Sequence, residues 1–169
     1  QASNKGTGKW ATTAGTDLGI AIPIIASALQ SRFISSFKKQ RVELSKHFDL
    51  DTSDQQNVES ATKSLKRVYD FCRLMNHHQG FLFIKLAAET YNWGIDLANV
   101  AQAWTAGCII KSDLMEELVS HFRSYDQILI MPVFNQWLNT NKTVLKEDFR
   151  SLLCQNIPMS TCFAAWHYF

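Results

Sequence analysis

Apolar residues recur along this chain at the spacing of helix faces. After Pro23, a residue suited to a first helical turn, Ile25, Leu29, Phe33 and Phe37 return every four positions. The spacing predicts one amphipathic helix from Pro23 to about Phe48. Val58, Ala61, Leu65, Val68, Cys72 and Met75 then follow a 3-4-3-4-3 rhythm. That narrow stripe suits packing against another helix, with Ser53 or Asp54 as its cap. Over residues 81–88 the pattern turns apolar on nearly all sides, as in a helix buried in a bundle or at a subunit interface. Gly80, just before it, is expected to allow a close helix crossing. Asn92 and Gly94 interrupt the pattern. Further helices are predicted near residues 97–104, 109–122, 128–138 and 146–154, and from Thr161 to the end. Ser112 or Asp113 is placed to start the second of these, and Pro132 sits near the start of the third.

The seven glycines, three prolines and few β-branched runs argue against an all-β fold. No tandem repeat and no linker rich in Gly, Ser or Pro divides the chain. The predicted fold class is therefore all-α, a multi-helix array with short connections forming one domain over residues 1–169. At 169 residues, 46% hydrophobic, the chain can bury a core and disorder is excluded. A net charge of +2 gives no electrostatic case for nucleic acid or an anionic membrane as partner. The densest basic run, Lys38, Lys39, Arg41 and Lys46, spreads around a helix, is interrupted by Glu43, and reads as a solvated face. No apolar run reaches the roughly 18 residues of a membrane span, since Lys85 breaks the longest.

The four cysteines, Cys72, Cys108, Cys154 and Cys162, form no CxxC pair and lie in apolar stretches. They read as reduced, mostly buried thiols of a cytosolic protein. His77 and His78 are adjacent, so on a helix they point about 100° apart and cannot chelate one ion together. His47, His121 and His167 have no second His or Cys at HxxxH-like spacing, and no metal site is expected. GxGxxG is absent, because Gly6 and Gly8 are followed by Ala11 and no strand precedes them.

Two features can carry chemistry. Residues 4–10, Asn-Lys-Gly-Thr-Gly-Lys-Trp, place two glycines among two lysines and a hydroxyl, just before a segment able to form a helix. Exposed N–H groups at a helix start, with cations beside them, suit a phosphate or a carboxylate. The same residues also fit a flexible glycine turn with solvated lysines. The second feature is Arg32, between Leu29 and Phe33 on the apolar side of its predicted helix. Its planar guanidinium matches a phosphate, and it also fits a snorkelling side chain or an ion-pair partner.

Together these segments resemble a known family. Lys5-Gly6-Thr7-Gly8-Lys9-Trp10 resembles the KGTGKW signature of 6-phosphogluconate dehydrogenases. Asp17-Leu18-Gly19, Pro23, the run Ser31-Arg32-Phe33-Ile34-Ser35-Ser36, and Arg41-Val42 are similar to that family's next segments in order and spacing. Gln79-Gly80-Phe81 resembles its AQGF segment, and Trp104 with Gly107-Cys108-Ile109-Ile110 resembles its WRGGCIIR segment. Asn156-Ile157-Pro158-Met159 resembles its GIP segment. The chain departs from the pattern at Thr105 and Ala106, where Arg-Gly is usual, at Lys111 for Arg, and at Ser160-Thr161 in a proline region.

The resemblance implies a cytoplasmic homodimer of the pentose phosphate pathway. Such an enzyme oxidises and decarboxylates 6-phosphogluconate to ribulose 5-phosphate with NADP. It implies that Lys5 and Arg32 hold the substrate phosphate, that Thr7 adds its hydroxyl, and that no catalytic residue lies in these 169 positions. The acid–base pair and the Rossmann domain that binds NADP are expected upstream, and a tail reaching the partner's site beyond Phe169. Both ends are thus expected to be cuts through a longer protein, leaving a partial helical substrate-binding and dimerisation domain without activity of its own. Two alternatives are a non-catalytic dimerisation or scaffold module of a diverged relative, and a relative acting on another hydroxy acid. KGTGKW speaks against the latter.

Overall fold

A computed structural model describes residues 6–48, 58–155 and 158–169. Among them are eight α-helices and no strand: α1 (Thr7–Asp17), α2 (Pro23–Ser36), α3 (Lys38–Leu44), α4 (Val58–Thr90), α5 (Leu97–Ala103), α6 (Asp113–His121), α7 (Pro132–Leu153) and α8 (Ser160–Tyr168). Short 3-10 turns cover Ser45–His47 and Ile128–Ile130. The predicted all-α class is the observed one. The chain forms two compact units, one of Gln1–Asn76 with Lys142–Phe169 and one of His77–Asn141.

In the first unit, α1 and α2 form a tight hairpin. The Gly19 N–H donates to the Thr16 carbonyl at 3.1 Å and the Ile20 N–H to the Gly15 carbonyl at 2.8 Å. This is a Schellman closure, and it needs the left-handed backbone that Gly19 adopts at φ 65°. α2 starts at Pro23, as its fixed φ favours, and buries Ile24 and Leu29. α8 packs on α2, where Ser31 and Ser160 share a hydrogen bond at 2.9 Å and Ser27 and Thr161 one at 3.4 Å. Phe71 of α4, fully buried, sits among Phe149, Trp166 and Phe169 with ring centroids 5.6–5.9 Å away. Beside it the Arg67 guanidinium donates to both oxygens of Asp148, at 2.6 and 2.7 Å. That hydrogen bond, reinforced by the carboxylate's charge, raises the Arg67 pKa.

In the second unit, Phe81 packs against Phe122 at 4.6 Å and Trp104 at 5.3 Å. Asp96 caps α5 by accepting from the Ala98 N–H, and Ser112 caps α6 by accepting from the Met115 N–H. Asn92, at φ 55°, ends α4 as Gly19 ends α1, with the Trp93 N–H donating to the Ala88 carbonyl at 2.8 Å. Met115, Leu118, Ile128 and Met131 are fully buried.

Several expectations need correction. The single helix from Pro23 to about Phe48 breaks at Phe37, where ψ turns to 42°. There the Ser36 hydroxyl donates back to the Phe33 carbonyl and Arg41 donates to the Ser35 carbonyl, which satisfies the end of α2 locally. Of the expected stripe only Leu29 is buried: Ile25 is half-buried, Phe33 and Phe37 are exposed, and the other buried residue of α2 is Ile24. The stripe of α4 is buried at Val68 and Met75, half-buried at Cys72, and exposed at Val58 and Leu65. Its expected cap, Ser53 or Asp54, lies outside the described residues.

Gly80 lies inside α4, and a Cβ there would meet nothing within 4 Å, so it marks no close crossing. The helix expected over 109–122 begins at Asp113, and Ile109 is fully exposed. The two helices expected over 128–138 and 146–154 are one, α7. The polar run between them is helical: Thr140 and Asn141 turn their side chains back to carbonyls one turn earlier, so they do not compete for the helix from outside it, and Leu145 is fully buried. The four thiols are free; Cys72, Cys108 and Cys162 are half-buried, and Cys154, expected to be buried, is exposed.

The Arg67–Asp148 pair predicts an asymmetry. The Asp148 side chain is 5% exposed and that of Arg67 is 34% exposed. Arg67→Ala strands a buried carboxylate and should cost about 3–5 kcal/mol. Asp148→Asn leaves a guanidinium that already reaches water and should cost about 1–2 kcal/mol. Urea unfolding of both variants checks this; a larger loss for Asp148→Asn would contradict it.

Candidate phosphate-binding site

The site is built at the start of α1. Gly6 is its N-cap, at φ 94° and ψ −28°, a conformation that side-chain-bearing residues rarely adopt. The turn it makes lets the Trp10 N–H reach the Gly6 carbonyl at 3.1 Å and start the helix. Gly6 has no side chain to cap this end. The N–H groups of Thr7, Gly8 and Lys9 thus lack intrahelical acceptors and carry the positive end of the helix dipole. Thr7 to Trp10 thus belong to the helix itself and not to a turn preceding it.

The hairpin brings this end against α2. A Cβ on Gly8 would lie 3.2 Å from Leu29 Cδ1, tighter than most such contacts. Gly15 holds the other end of α1 close, since a Cβ there would lie 2.4 Å from Ile22 Cδ1. Arg32 is three residues beyond Leu29, so it stands almost one turn further along the same side of α2. Thr7, Gly8, Ile25, Ala28, Leu29, Arg32 and Asn76 line one cavity of about 460 Å3. The structure thus brings together Thr7 and Arg32, two of the three residues singled out in the sequence. The third, Lys5, lies outside the described residues.

Asn76, from α4, was not anticipated. It follows Met75, the end of the apolar stripe, and nothing in the local sequence ties a lone asparagine to a segment nearly seventy residues away. Its amide can both donate and accept, which suits the hydroxyls of a polyol as well as a phosphate oxygen.

A second cavity, of about 560 Å3, opens in the other unit and is lined by Lys85, Trp93, Tyr125 and Asp126 among others. It is the larger of the two but less suited to an anion. The Lys85 ammonium already donates to Asp126 at 2.5 Å and lies 3.9 Å from Glu89. The hydrogen bond from Lys85, and then its charge, hold the Asp126 carboxyl below the usual range. His78 is buried, which pushes its pKa below the ordinary imidazole value and favours the neutral ring. Among the described residues no three His, Cys, Asp or Glu side chains gather as a metal site would require. No helix among them is long and apolar enough to cross a membrane.

The chain is similar to known proteins over its whole length. Residues 1–169 match the family "6-phosphogluconate dehydrogenase, C-terminal domain". A decarboxylating 6-phosphogluconate dehydrogenase of Lactococcus lactis subsp. cremoris is 36% identical, across 100% of this chain and 37% of that protein. The Escherichia coli K12 protein of the same name is 29% identical, with the same coverage. Among solved structures, Plasmodium falciparum 6-phosphogluconate dehydrogenase superposes with a TM-score of 0.91 at 25% identity. That match covers 99% of this chain and 37% of the other, a protein studied in its apo form, with NADP+ and with 6-phosphogluconate. The chain therefore spans 37% of the length of these relatives.

Gly6 allows a test of the local geometry. A Cβ there would meet nothing within 4 Å, so a substitution strains the backbone alone. Gly6→Ala should cost about 1–2 kcal/mol. Chemical denaturation checks it, and an unchanged midpoint would show that the turn does not need glycine.

Proposed function

We infer the role of this segment from one premise: the chain belongs to the 6-phosphogluconate dehydrogenase family. The segment holds the phosphate of 6-phosphogluconate. Thr7 supplies a hydroxyl, the first turn of α1 supplies N–H donors, and Arg32 and Lys5 supply positive charge. The observation that carries this reading is the convergence of Thr7 and Arg32 on one cavity at an uncapped helix N-terminus. In the whole enzyme, a cytoplasmic one of the pentose phosphate pathway, the segment fixes one end of the sugar acid. Oxidation and decarboxylation then proceed at the other end, giving ribulose 5-phosphate. Asn76 is placed to meet a hydroxyl of the chain between.

The residues described here do not fit the cofactor. NADP needs a strand–turn–helix cradle for its pyrophosphate, and no strand occurs among the described residues. The reading assigns NADP to a Rossmann domain outside these 169 residues and gives this segment no step in hydride transfer. It holds no acid–base pair either, so the purified chain alone should not turn over 6-phosphogluconate with NADP. NADPH formation above a buffer blank, followed by absorbance, would refute that.

In the full-length enzyme, Arg32→Ala and Lys5→Ala should raise KM about ten- to hundredfold, as loss of one charge-assisted bond of about 1.5–3 kcal/mol requires. The loss in kcat should be smaller, because the phosphate positions the reacting carbons without touching them. Steady-state kinetics decide it, and a normal KM for Arg32→Ala removes that residue from the site.

The family's arrangement also suggests a homodimer. Ile34, Phe37, Val42, Leu44 and Phe48 are exposed, and Leu82, Phe83, Ile84 and Leu86 are only half-buried. Two-fold pairing is the commonest way to cover such surface. The chain should run as a dimer in size-exclusion chromatography with light scattering. A stable monomer at all dilutions would contradict this and favour cover within the longer protein.

A further inference from the structure

Two thiols in the first unit meet although ninety positions separate them. Cys72 of α4 and Cys162 of α8 are hydrogen-bonded to each other. Their helices meet at this level, since Phe71 packs against Trp166 with centroids 5.6 Å apart and the rings tilted by 55°. Cys162 precedes Trp166 by four residues and so shares its helix face. Both thiols are partly exposed, within reach of a small solute. Cys162 also sits in the first turn of α8, whose N-cap residue, Met159, makes no side-chain cap.

We propose that Cys72 and Cys162 form an oxidative modification site, a dithiol that hydrogen peroxide closes into a disulfide joining α4 to α8. Cys162 is the attacking sulfur. The bond from Cys72 lowers the Cys162 pKa to about 7, with its own backbone N–H helping, while Cys72 is pushed upward and keeps its proton. A helix N-terminus favours a thiolate in the same direction.

The steps balance. The Cys162 thiolate attacks one peroxide oxygen, the O–O bond breaks, and hydroxide leaves and takes up the proton that Cys162 had released. Cys162 is then a sulfenic acid. The Cys72 sulfur attacks the Cys162 sulfur, the S–S bond forms, and the sulfenic oxygen leaves as water with the Cys72 proton. Two thiols have lost two hydrogens, and one peroxide has become two waters. The closed bond ties to α4 the helix whose Ser160 and Thr161 hold α2.

The test treats the 169-residue chain with hydrogen peroxide and maps it by non-reducing digestion and mass spectrometry. The expected product is a linked pair of peptides carrying Cys72 and Cys162, two hydrogens lighter than the separate thiol peptides and reversed by dithiothreitol. Cys108 and Cys154 should still alkylate at that dose. In Cys72→Ser, Cys162 should accumulate as a sulfenic acid that dimedone traps. Should that variant fail to fold, the map of the unaltered chain decides alone. Oxidation of the exposed Cys154 before Cys162, or the absence of the linked pair in oxidised folded protein, would overturn the proposal.

Discussion

The site depends on how closely α1 can approach α2. Two glycines set that approach: Gly8 against Leu29 and Gly15 against Ile22. A side chain at either would force the facing aliphatic chain, Leu29 or Ile22, to shift. With the helices close, the start of α1 and one side of α2 border a common cavity lined by Thr7 and Arg32. Either alone is an ordinary surface group. On the proposed reading, together with the N–H groups of the first turn they make a donor set suited to a phosphate. The Schellman closure at Gly19 and the left-handed turn at Gly6 serve this geometry by fixing the two ends of α1.

The rest of the first unit braces that hairpin. α8 supports α2 through paired hydroxyls and packs its aromatic residues around Phe71 and Phe149. The Arg67–Asp148 pair ties α4 to α7 beside the same cluster. The Cys72–Cys162 pair lies at this junction, so closing it acts on the helix that supports α2.

What was legible in the sequence follows from which forces are local. The all-α class, the start of α2 at Pro23, the cap at Ser112 and the stop at Asn92 all depend on one residue and its neighbours. Thr7 and Arg32 were singled out because their motifs resemble a known family's; by themselves a glycine-rich helix start and an arginine among apolar residues also fit a flexible turn and a snorkelling side chain. The break at Phe37 was not legible: the four-residue spacing runs through it, and side-chain bonds from Ser36 and Arg41 end the helix. The continuity of α7 was hidden for the opposite reason. A run of Asn and Thr reads as a loop, yet its side chains bond back into the helix and Leu145 anchors it. Asn76 and the Cys72–Cys162 contact are tertiary facts, set by how α4 meets α1, α2 and α8, and no spacing along the chain encodes them.

The central claim is that the start of α1 and Arg32 hold a phosphate. The most direct measurement is a titration of the isotope-labelled chain with 6-phosphogluconate, following backbone amide and arginine Nε resonances by NMR. The account predicts that the largest shifts fall on the Thr7, Gly8 and Lys9 amides and on Arg32 Nε, and that gluconate without its phosphate leaves them nearly unmoved. Shifts centred instead on Lys85, Trp93 and Asp126, or equal responses to gluconate, would contradict it.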